Sequence, residues 1–478
     1  MTRVTTDGFE LLKQLDPHHA YVVRTLAAEF ATSGRDLFLV GGPVRDLLLG
    51  TPISDLDFTT DAIPSETRAL GESIPDSSIY DIGEKYGTIG VVIPVGEESI
   101  PVEITTFRSE TYEPGDRHPD VRFGDDINAD LSRRDITVNA IAIDVKTGAI
   151  IDPFYGRADI EIATLRAVGD PDHRFMEDPL RLLRVARFVS QLGFTIDTAT
   201  FNAMVRQANT LKHISKERIY GELTRLLIGD YPDAGLQVLL DTGLLTVAMP
   251  EMAALADEAY AEQGPHREKD LWDHTKRVVA QSINRPTVRW AALLHDAAKP
   301  HTRTVDERGE VHFFGHELAG ARQARKLLRN LKADKRTEAH VALLVELHQR
   351  PSVYDANTWT DAAVRRLALE AGDVLDDLVD LAAADVTSGK AHKQRRARER
   401  VEQLRQHIAR LNDEQALNEI QSPIDGTDLM QMFDLPPGRW IAEIKDHLRE
   451  LVIEGELAPD DIERSREIAA EILAEKQV

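Results

Sequence analysis

Two neighbouring stretches decide the fold, Leu37-Phe-Leu-Val-Gly41-Gly42-Pro-Val-Arg45-Asp46 and Ile53-Ser-Asp55-Leu-Asp57-Phe58. The first begins with four apolar residues, which predict a buried strand, and its Gly-Gly-Pro sequence predicts a turn into a helix over 44–49. Backbone N–H groups at a helix start can approach an anion closely, and Arg45 adds a charged fork. The stretch therefore predicts a strand–turn–helix unit suited to an anionic ligand, although such a turn alone is commonly only a turn.

The second stretch carries two aspartates. Asp55 and Asp57 are two residues apart on a predicted strand, so their side chains share one face of the sheet. Two carboxylates on one face repel each other unless a cation lies between them, which indicates a Mg²⁺ site. Taken alone, the pair is also compatible with a solvated sheet edge or an Asx turn.

Length and composition narrow the class of protein. The 478 residues suggest about three domains, and the net charge of −24 is untypical of a general polyanion binder, although local basic sites can still occur. The absence of cysteine excludes disulfides, thiolate zinc sites and cysteine nucleophiles. The N-terminal residues lack the apolar core of a signal peptide, and no apolar run is long enough to span a bilayer. We therefore expect a cytoplasmic location without membrane contact.

The spacing of apolar residues predicts a sheet-containing head followed by helices. The first thirty residues predict a helix, residues 109–126 a long loop, and residues beyond about 165 mainly helices. One helix is expected to begin at Asp178-Pro179 and to end at Gly193, and others lie over 216–228 and 440–451. The predicted strands are Leu37–Val40, Asp57–Thr60, Thr88–Val95 and Ile100–Phe107.

The order of these motifs resembles a known family. Gly-Gly-x-x-Arg followed by Asp-x-Asp is similar to the nucleotidyltransferase superfamily that includes DNA polymerase beta. In that superfamily a carboxylate from a neighbouring strand completes the metal shell, and the resemblance points to Glu103. Later segments look like successive motifs of the class II tRNA nucleotidyltransferases, the CCA-adding enzymes and their bacterial poly(A) polymerase relatives. They are Ser132-Arg-Arg134-Asp135-Ile-Thr-Val-Asn139-Ala140, Asp152-Pro-Phe-Tyr-Gly156-Arg-Ala-Asp159-Ile160 and Phe175-Met-Glu177-Asp178-Pro-Leu-Arg181-Leu-Leu-Arg184-Val-Ala-Arg187-Phe188.

The resemblance implies that Asp178 and Arg181 act as a protein template for the incoming base. A carboxylate accepts from the exocyclic amine that cytosine and adenine share, and Arg donates to the adjacent ring nitrogen, whereas guanine and uracil present the opposite polarity. Without the resemblance, Asp178 reads as an N-cap and the arginines as a solvated helix face. The residues implied to line the nucleotide and its triphosphate are Gly42, Arg45, Arg134, Arg184 and Arg187, with Asn139 in support.

The implied reaction is attack of the tRNA 3′-hydroxyl on the α-phosphate of CTP or ATP, with Mg²⁺ held by Asp55, Asp57 and Glu103 and release of pyrophosphate. The loop over 108–122, with Arg117-His118-Pro119, matches the family's flexible loop and favours addition of the full CCA. A poly(A) polymerase or a partial CC- or A-adding enzyme of the same family is the alternative. The oligomeric state is left open.

A second set of residues resembles the HD phosphohydrolase superfamily. His274, His295-Asp296 and Asp385 fall on predicted helices in the order typical of that superfamily. The pair His295-Asp296 ends an apolar segment that would bury it, and imidazoles and carboxylates are ligands for a divalent metal. The resemblance implies a second metal site here, in addition to the Mg²⁺ site.

Other histidines around this set are interpreted individually. His316 and His348 can add ligands or contact substrate, whereas His312 and His340 are interpreted as satisfied core histidines. Ala298 stands where the HD signature commonly has Gly. The HD fold is therefore better supported than HD activity.

Two basic stretches are candidates for RNA contact in an otherwise acidic chain. Residues 321–336 contain seven Lys or Arg against one Asp, and residues 390–400 contain six against one Glu. Such runs are most often solvated helix faces, but in a tRNA-binding enzyme they become candidate phosphate contacts.

The predicted fold is α+β. A polymerase-beta-like nucleotidyltransferase head with a mixed sheet precedes a helical nucleotide-selecting neck, an HD-type helical domain and a helical tail that braces the tRNA. The predicted function is addition of C, C and A to the tRNA 3′ end, with HD phosphohydrolase activity as an option. Alternatives from other classes are a metal phosphohydrolase with a vestigial head and an RNA-binding scaffold without activity. The predicted bounds are 1–30 for an N-terminal helix, 31–165 for the head and 166–250 for the neck. They are 251–390 for the HD-type domain and 391–478 for the tail.

Overall fold

A computed structural model describes residues 7–83, 87–111, 120–124, 126–256, 271–386, 391–413 and 422–475. The chain divides into two compact units, unit 1 over residues 1–253 and unit 2 over residues 254–478. Among the described helices, none combines the length and the apolar composition needed to span a bilayer.

Unit 1 is built around a seven-stranded mixed sheet in the order β3-β4-β5-β2-β1-β8-β9. Strands β2 and β5 pair in parallel, and the other neighbours pair antiparallel. The predicted mixed sheet is thus confirmed. The strands of unit 1 are β1 Leu37–Val40, β2 Leu56–Thr60, β3 Ser78–Gly83, β4 Thr88–Val95, β5 Glu98–Thr106, β6 Arg108–Thr111, β7 Asp120–Phe123, β8 Ala142–Asp144, β9 Ile150–Ile151, β10 Thr164–Leu165 and β11 Thr195–Ile196.

The four predicted strands correspond to β1, β2, β4 and β5. All four residues of β1 are buried, as expected of a continuous apolar run inside a sheet. The predicted loop over 109–126 instead contains most of two strands, because β6 and β7 pair antiparallel with Arg108 opposite Phe123. Residues 112–119 and 125, which include Arg117-His118-Pro119, lie outside the described residues.

The prediction of a single N-terminal helix is wrong, since the described residues 7–33 form two helices. Asp16 Oδ1 accepts from the backbone N–H groups of His18 and His19, and Pro17 occupies the first turn of the second helix. This cap starts a new helix. The helices of unit 1 are α1 Gly8–Leu12, α2 Pro17–Ser33, α3 Gly42–Leu49, α4 Pro64–Ser73, α5 Ile127–Ser132, α6 Gly156–Glu161, α7 Pro171–Glu177, α8 Leu180–Leu192, α9 Thr198–Gln207, α10 Lys216–Leu227, α11 Pro232–Asp241, α12 Leu244–Ala248 and α13 Pro250–Ala253.

Unit 2 is helical apart from one short hairpin, as far as its described residues extend. Its core includes Ile444, Leu448 and Val452, so the amphipathic helix predicted near the end of the chain is observed. The hairpin strands are β12 Thr304–Val305 and β13 Val311–His312. The helices are α14 Leu271–Gln281, α15 Pro286–Leu294, α16 Lys299–Thr302, α17 His316–Asn330, α18 Lys335–Leu347, α19 Asp361–Ala371, α20 Leu375–Ala384, α21 Ala391–Asp413, α22 Gly426–Phe433, α23 Arg439–Glu454 and α24 Ile462–Glu475.

Candidate active site

Three carboxylates meet on neighbouring strands of unit 1. Asp57 on β2 and Glu103 on β5 are directly paired in the parallel register. Asp55 lies immediately before β2 rather than on it. Val102 and Ile104 are buried while Glu103 is exposed, so the predicted alternation along β5 is observed. The structure therefore brings the three predicted metal ligands into one cleft.

Burial and mutual repulsion both raise the pKa of carboxylates in this cleft. Burial, together with the charges of Asp55 and Glu103, raises the pKa of Asp57 to about 6. Burial and Asp55 likewise raise the pKa of Glu103. A raised carboxyl pKa reports negative charge that lacks positive compensation, which a divalent cation supplies. Clustered carboxylate oxygens are ligands that suit Mg²⁺, so the residues fit the ion.

The glycine turn before α3 lies against Arg134, and the first turn of α3 carries Arg45. Gly41 has φ +81°, a conformation that favours glycine, and a Cβ there would lie 2.8 Å from Arg134 Nη1. Arg45, on the first turn of α3, donates from Nη1 to Asn139 Oδ1 at 2.7 Å and from Nε to Asp46 Oδ1 at 2.9 Å. Both ends of the guanidinium are held, so Asn139 acts on the cleft by fixing Arg45.

The arginines of α8 do not form a solvated helix face. Arg181 and Arg187 are only 8% and 7% exposed, because α8 packs against α10 and α11. Arg184 Nε donates to Asp135 Oδ2 at 2.7 Å, and this guanidinium holds the pKa of the buried Asp135 carboxyl below its ordinary value. Arg187 Nε lies 3.3 Å from the buried Glu222 carboxylate. The interpretation of the arginines as a solvated stripe is wrong for Arg181 and Arg187, which are buried, whereas Arg184 is half-exposed.

Asp178 is held from two sides at the start of α8. Its Oδ1 accepts from the backbone N–H of Leu180 at 3.1 Å, although the helix itself begins at Leu180 with Pro179 as the capping residue. Its Oδ2 accepts from Arg218 Nη2 at 2.7 Å. The carboxylate is therefore oriented before any nucleotide binds.

Arg181 is oriented by the backbone of neighbouring elements. Its Nη1 donates to the carbonyl of Arg174 at 3.0 Å and its Nη2 to the carbonyl of Arg133 at 2.8 Å. The Glu177 carboxylate pairs with the same guanidinium. Since three acceptors define the plane of the fork, Arg181 is a rigid donor at the cleft wall.

Several residues of the cleft were not identified from the sequence. Arg218 was missed because it lies on α10, 40 positions after Asp178, with no spacing that links the two. Sequence patterns also assigned no role to Glu177, which lies behind the cleft wall and pairs with Arg181. The cleft has a volume of about 860 Å³. It is lined by the carboxylates Asp46, Asp55, Asp57, Glu103, Asp135 and Asp178, the arginines Arg45, Arg108, Arg133, Arg134, Arg181, Arg184, Arg187, Arg218 and Arg225, and Gly41, Gly42, Ser54, Asn139, Leu180, Phe188 and Gln191.

Arg218 provides a test of how Asp178 is positioned. We expect Arg218→Ala to raise KM for CTP and ATP about tenfold, because a charge-assisted bond contributes roughly 1.5 kcal/mol. Arg206→Ala is the matched control, since Arg206 on α9 forms a similarly exposed ion pair with Asp172 that does not line the cleft. Steady-state kinetics check this, and equal KM values for the two variants would contradict it.

Unit 2 contains a compact histidine–aspartate cluster. His274 lies on α14, His295 and Asp296 directly follow α15, and Asp385 follows α20. His274 Nε2 is 3.1 Å from His295 Nε2, 3.3 Å from Asp296 Oδ2 and 3.2 Å from Asp385 Oδ1. The structure thus brings the four predicted HD residues together.

The two carboxylates of the cluster act on the pKa of His295. Burial alone would lower the pKa of His295. The carboxylates of Asp296 and Asp385 outweigh burial and raise this pKa to about 8. The same field attracts a metal cation. The interpretation of His312 and His340 as core histidines is wrong, because both are half-exposed and His312 pairs with Asp306 at 3.1 Å.

The two basic stretches lie on helices of unit 2. All seven cations of residues 321–336 are exposed, on α17, α18 and the turn between them. Within residues 390–400, Arg395, Arg396 and Arg398 are exposed on α21. Exposure makes both stretches accessible to a polyanion.

Comparison with protein-family models gives three matches. Residues 37–166 match "Poly A polymerase head domain", and residues 193–255 match "Probable RNA and SrmB- binding site of polymerase A". Residues 313–461 match "tRNA nucleotidyltransferase domain 2 putative". The HD-type interpretation of residues 251–390 stays a prediction.

Individual relatives share both sequence and structure with this chain. It is 39% identical to a CCA-adding enzyme of Geobacillus thermodenitrificans over 58% of this chain and 66% of that enzyme. It is 32% identical to a CCA-adding enzyme of Geobacillus sp. WCH70 over 89% of this chain and 90% of that enzyme. A crystal structure of the Bacillus stearothermophilus CCA-adding enzyme in complex with CTP matches with a TM-score of 0.69 and 29% identity, over 97% of this chain and 99% of that one. The likeness extends along nearly the whole length, and the chain belongs to the CCA-adding enzyme family.

Proposed function

We propose that the cleft of unit 1 adds C, C and A to the 3′ end of tRNA, using CTP and ATP and releasing pyrophosphate. This is the reaction for which the family is named. The observation that supports it most directly is one cleft in which three carboxylates on β2, β5 and the residue before β2 face the arginines of α3 and α8. Carboxylates for a metal and arginines for a triphosphate are the parts that nucleotidyl transfer requires.

Asp55, Asp57 and Glu103 would hold Mg²⁺ in this cleft. When bound, Mg²⁺ lowers the pKa of the attacking 3′-hydroxyl and neutralises charge on the phosphates. The protein's contribution is to hold Asp57 and Glu103 directly opposite each other in the parallel register of β2 and β5. Pre-positioned charge of this kind stabilises the transition state without reorganisation during the reaction.

The triphosphate is bound by Gly42, Arg45, Arg134, Arg184 and Arg187. Gly42 begins α3, so its backbone approaches an anion closely. Asn139 holds Arg45, and Asp135 holds Arg184. Because both arginines are already ordered, they lose less conformational entropy when they bind phosphate. Burial and Arg184 lower the pKa of Arg187 only to about 10, so it stays a cation near neutral pH.

Asp178 and Arg181 select the base. Asp178 Oδ2 accepts from the exocyclic amine of cytosine or adenine, and Arg181 donates to the neighbouring ring nitrogen. Uracil and guanine would place a carbonyl against the carboxylate and an N–H against the guanidinium. Each unpaired buried group costs about 1–3 kcal/mol, which discriminates against UTP and GTP.

Extension of a tRNA that lacks its last three nucleotides tests this function. With CTP alone we expect two added nucleotides, and with CTP and ATP together three, read as product lengths on a sequencing gel. A long ladder with ATP alone would indicate a poly(A) polymerase, and an end product of one or two nucleotides a partial adder. Binding of tRNA without any extension would leave only an RNA-binding scaffold.

The basic stretches of unit 2 contact the tRNA backbone. We expect the triple variant Arg322→Ala/Arg325→Ala/Lys326→Ala to weaken tRNA binding and to reduce the slope of log affinity against log salt by about 0.9 per lost phosphate contact. These three cations are exposed on α17. The triple variant Arg395→Ala/Arg396→Ala/Arg398→Ala tests α21 in the same way. An unchanged salt slope in both variants would contradict the assignment.

A second activity is supported by the cluster in unit 2. We propose that His274, His295, Asp296 and Asp385 bind a divalent metal that supports hydrolysis of a phosphate monoester. The supporting observation is the convergence of the other three side chains on His274 Nε2 within 3.3 Å. Hydrolysis of p-nitrophenyl phosphate by wild type but not by Asp296→Asn is the test, and equal rates would overturn it.

The finer domain division is also a proposal. We assign the head at 31–165, the neck at 166–250, the HD-type domain at 251–390 and the tail at 391–478, and we propose a cytoplasmic location. Limited proteolysis tests the bounds, since cuts between compact domains should precede cuts within them.

A further inference from the structure

One aromatic ring lies among the arginines of the cleft in unit 1. Phe188 on α8 lines the cleft and is 4% exposed. The guanidinium carbons of Arg45, Arg184 and Arg187 lie 5.6, 5.6 and 4.3 Å from the centre of its ring. The face of an aromatic ring carries partial negative charge and attracts a cation within about 6 Å of the ring centre. One ring is therefore placed to stabilise three of the cations assigned above to the triphosphate.

The three arginines reach the ring from two helices. Arg184 and Arg187 lie on α8 itself, and Arg184 precedes Phe188 by four positions, the spacing at which side chains of a helix are neighbours. Arg45 comes from α3, the helix that follows the glycine turn. The ring thus links the arginine of α3 to the arginines of α8 at the cleft.

The arginines differ in their other partners. Arg45 and Arg184 each donate to a side-chain oxygen at 2.7 Å. Nε of Arg187 has no hydrogen-bond partner among the described residues, because the Glu222 carboxylate 3.3 Å away is not aligned to accept. Arg187 is also the arginine nearest to the ring. We therefore expect the position of Arg187 to depend most on the ring.

The same arginines repel one another while no anion is bound. Burial and the charge of Arg184 lower the pKa of Arg187 to about 10, which reports this repulsion. A further carboxylate would relieve the repulsion, but it would compete with phosphate for the same donors. A phenyl ring has no net charge, so it stabilises the arginines and leaves their positive charge available to the ligand.

We infer that Phe188 is a positioning residue for the triphosphate and for the pyrophosphate released from it, because its ring holds Arg45, Arg184 and Arg187 through cation–π contacts. The inference rests on the nucleotide-binding role proposed above for this cleft. The ring acts on residues assigned to the phosphates and not to the base. Its effect should therefore be the same for CTP and ATP, and discrimination against UTP should not change.

Binding of CTP, ATP and pyrophosphate to the full chain tests the inference. Isothermal titration calorimetry with Mg²⁺ and without tRNA gives the dissociation constants in the absence of turnover. Phe188→Leu removes the ring but keeps an apolar side chain, and we expect all three ligands to bind about tenfold more weakly. The ratio of kcat/KM for CTP and UTP should equal that of wild type. A changed ratio would place the effect of the ring on base selection and overturn the inference.

Phe194→Leu is the matched control. Phe194 is likewise largely buried, at 8% exposed, and lies just beyond the end of α8, but it does not line the cleft. This variant should bind all three ligands as wild type does. Equal weakening in Phe188→Leu and Phe194→Leu would overturn the inference, since both substitutions remove a buried ring. Circular dichroism verifies that each variant is folded.

Fluorinated phenylalanines at position 188 separate the charge distribution of the ring from its shape. Fluorine withdraws electrons from the ring face and weakens the attraction of cations with little change in size. With mono-, di- and trifluorinated phenylalanine introduced by amber suppression, we expect the dissociation constant for pyrophosphate to rise stepwise, whereas the same series at position 194 should leave it unchanged. Constant binding across the series at position 188 would show that the ring acts only by packing and would overturn the inference.

The same measurements separate this inference from the proposed reaction. If wild type bound CTP but did not extend tRNA, the proposed nucleotide addition would be wrong, and the stepwise loss of binding would still support the role of Phe188. If wild type bound neither CTP nor pyrophosphate, both the proposed reaction and the inference would be overturned.

Discussion

Asp57→Asn is expected to lower kcat for nucleotide addition by about 10³-fold. The substitution keeps the shape of the side chain on β2 but removes one charge from the three-carboxylate set. Metal stabilisation of a reacting phosphate contributes several kcal/mol, and about 4 kcal/mol corresponds to 10³-fold in rate. Single-turnover extension of a tRNA ending in CC with ATP measures the chemical step directly.

The matched control for this loss is Glu98→Gln. Glu98 lies on β5, the strand that carries Glu103, but at its opposite end and exposed. Its replacement should leave kcat within about twofold of wild type, since exposed polar substitutions have small effects. Glu103→Gln should behave like Asp57→Asn. If Asp57→Asn retained wild-type kcat with normal tRNA binding, the assignment of these carboxylates would be wrong.

Asp178→Asn is expected to reduce discrimination against UTP about 10- to 100-fold. An asparagine amide has nearly the shape of the carboxylate but can donate, so it can pair with the uracil carbonyl that the carboxylate repels. The expected range corresponds to the roughly 1–3 kcal/mol cost of an unpaired buried group. The ratio of kcat/KM for CTP and UTP on a tRNA lacking CCA is the measurement.

Asp172→Asn is the control for base selection. Asp172 also pairs with an arginine of the neck, Arg206, but it does not line the cleft. The Asp172→Asn variant should discriminate against UTP as well as wild type does. A loss of discrimination in both Asp172→Asn and Asp178→Asn would indicate a general destabilisation of the neck. Arg181 is a poorer target, because its removal leaves the carbonyls of Arg133 and Arg174 without their donor.

Strand positions in the head were predictable because apolar alternation reports which side of a sheet is buried. Thr88–Val95 is a strand over the predicted range, and Glu103 alternates with buried Val102 and Ile104. The short strands β8 and β9 were missed because two or three residues carry too little periodicity. The N-terminal helix was mispredicted because the apolar spacing continues across the break that Asp16 and Pro17 introduce.

The type of site could be predicted from residue patterns alone, namely paired aspartates after a glycine turn, an arginine repeat, and histidines and aspartates in a fixed order. Those patterns depend only on the order and spacing of residues along the chain, so they can be recognised without knowing how the chain packs. What only the three-dimensional packing reveals is that Arg181 and Arg187 are buried, that Arg218 orients Asp178, and that Asp296 lies close to His295 and His316. These contacts join segments far apart in sequence, and they exist only because packing of helices against one another brings the side chains within hydrogen-bonding distance.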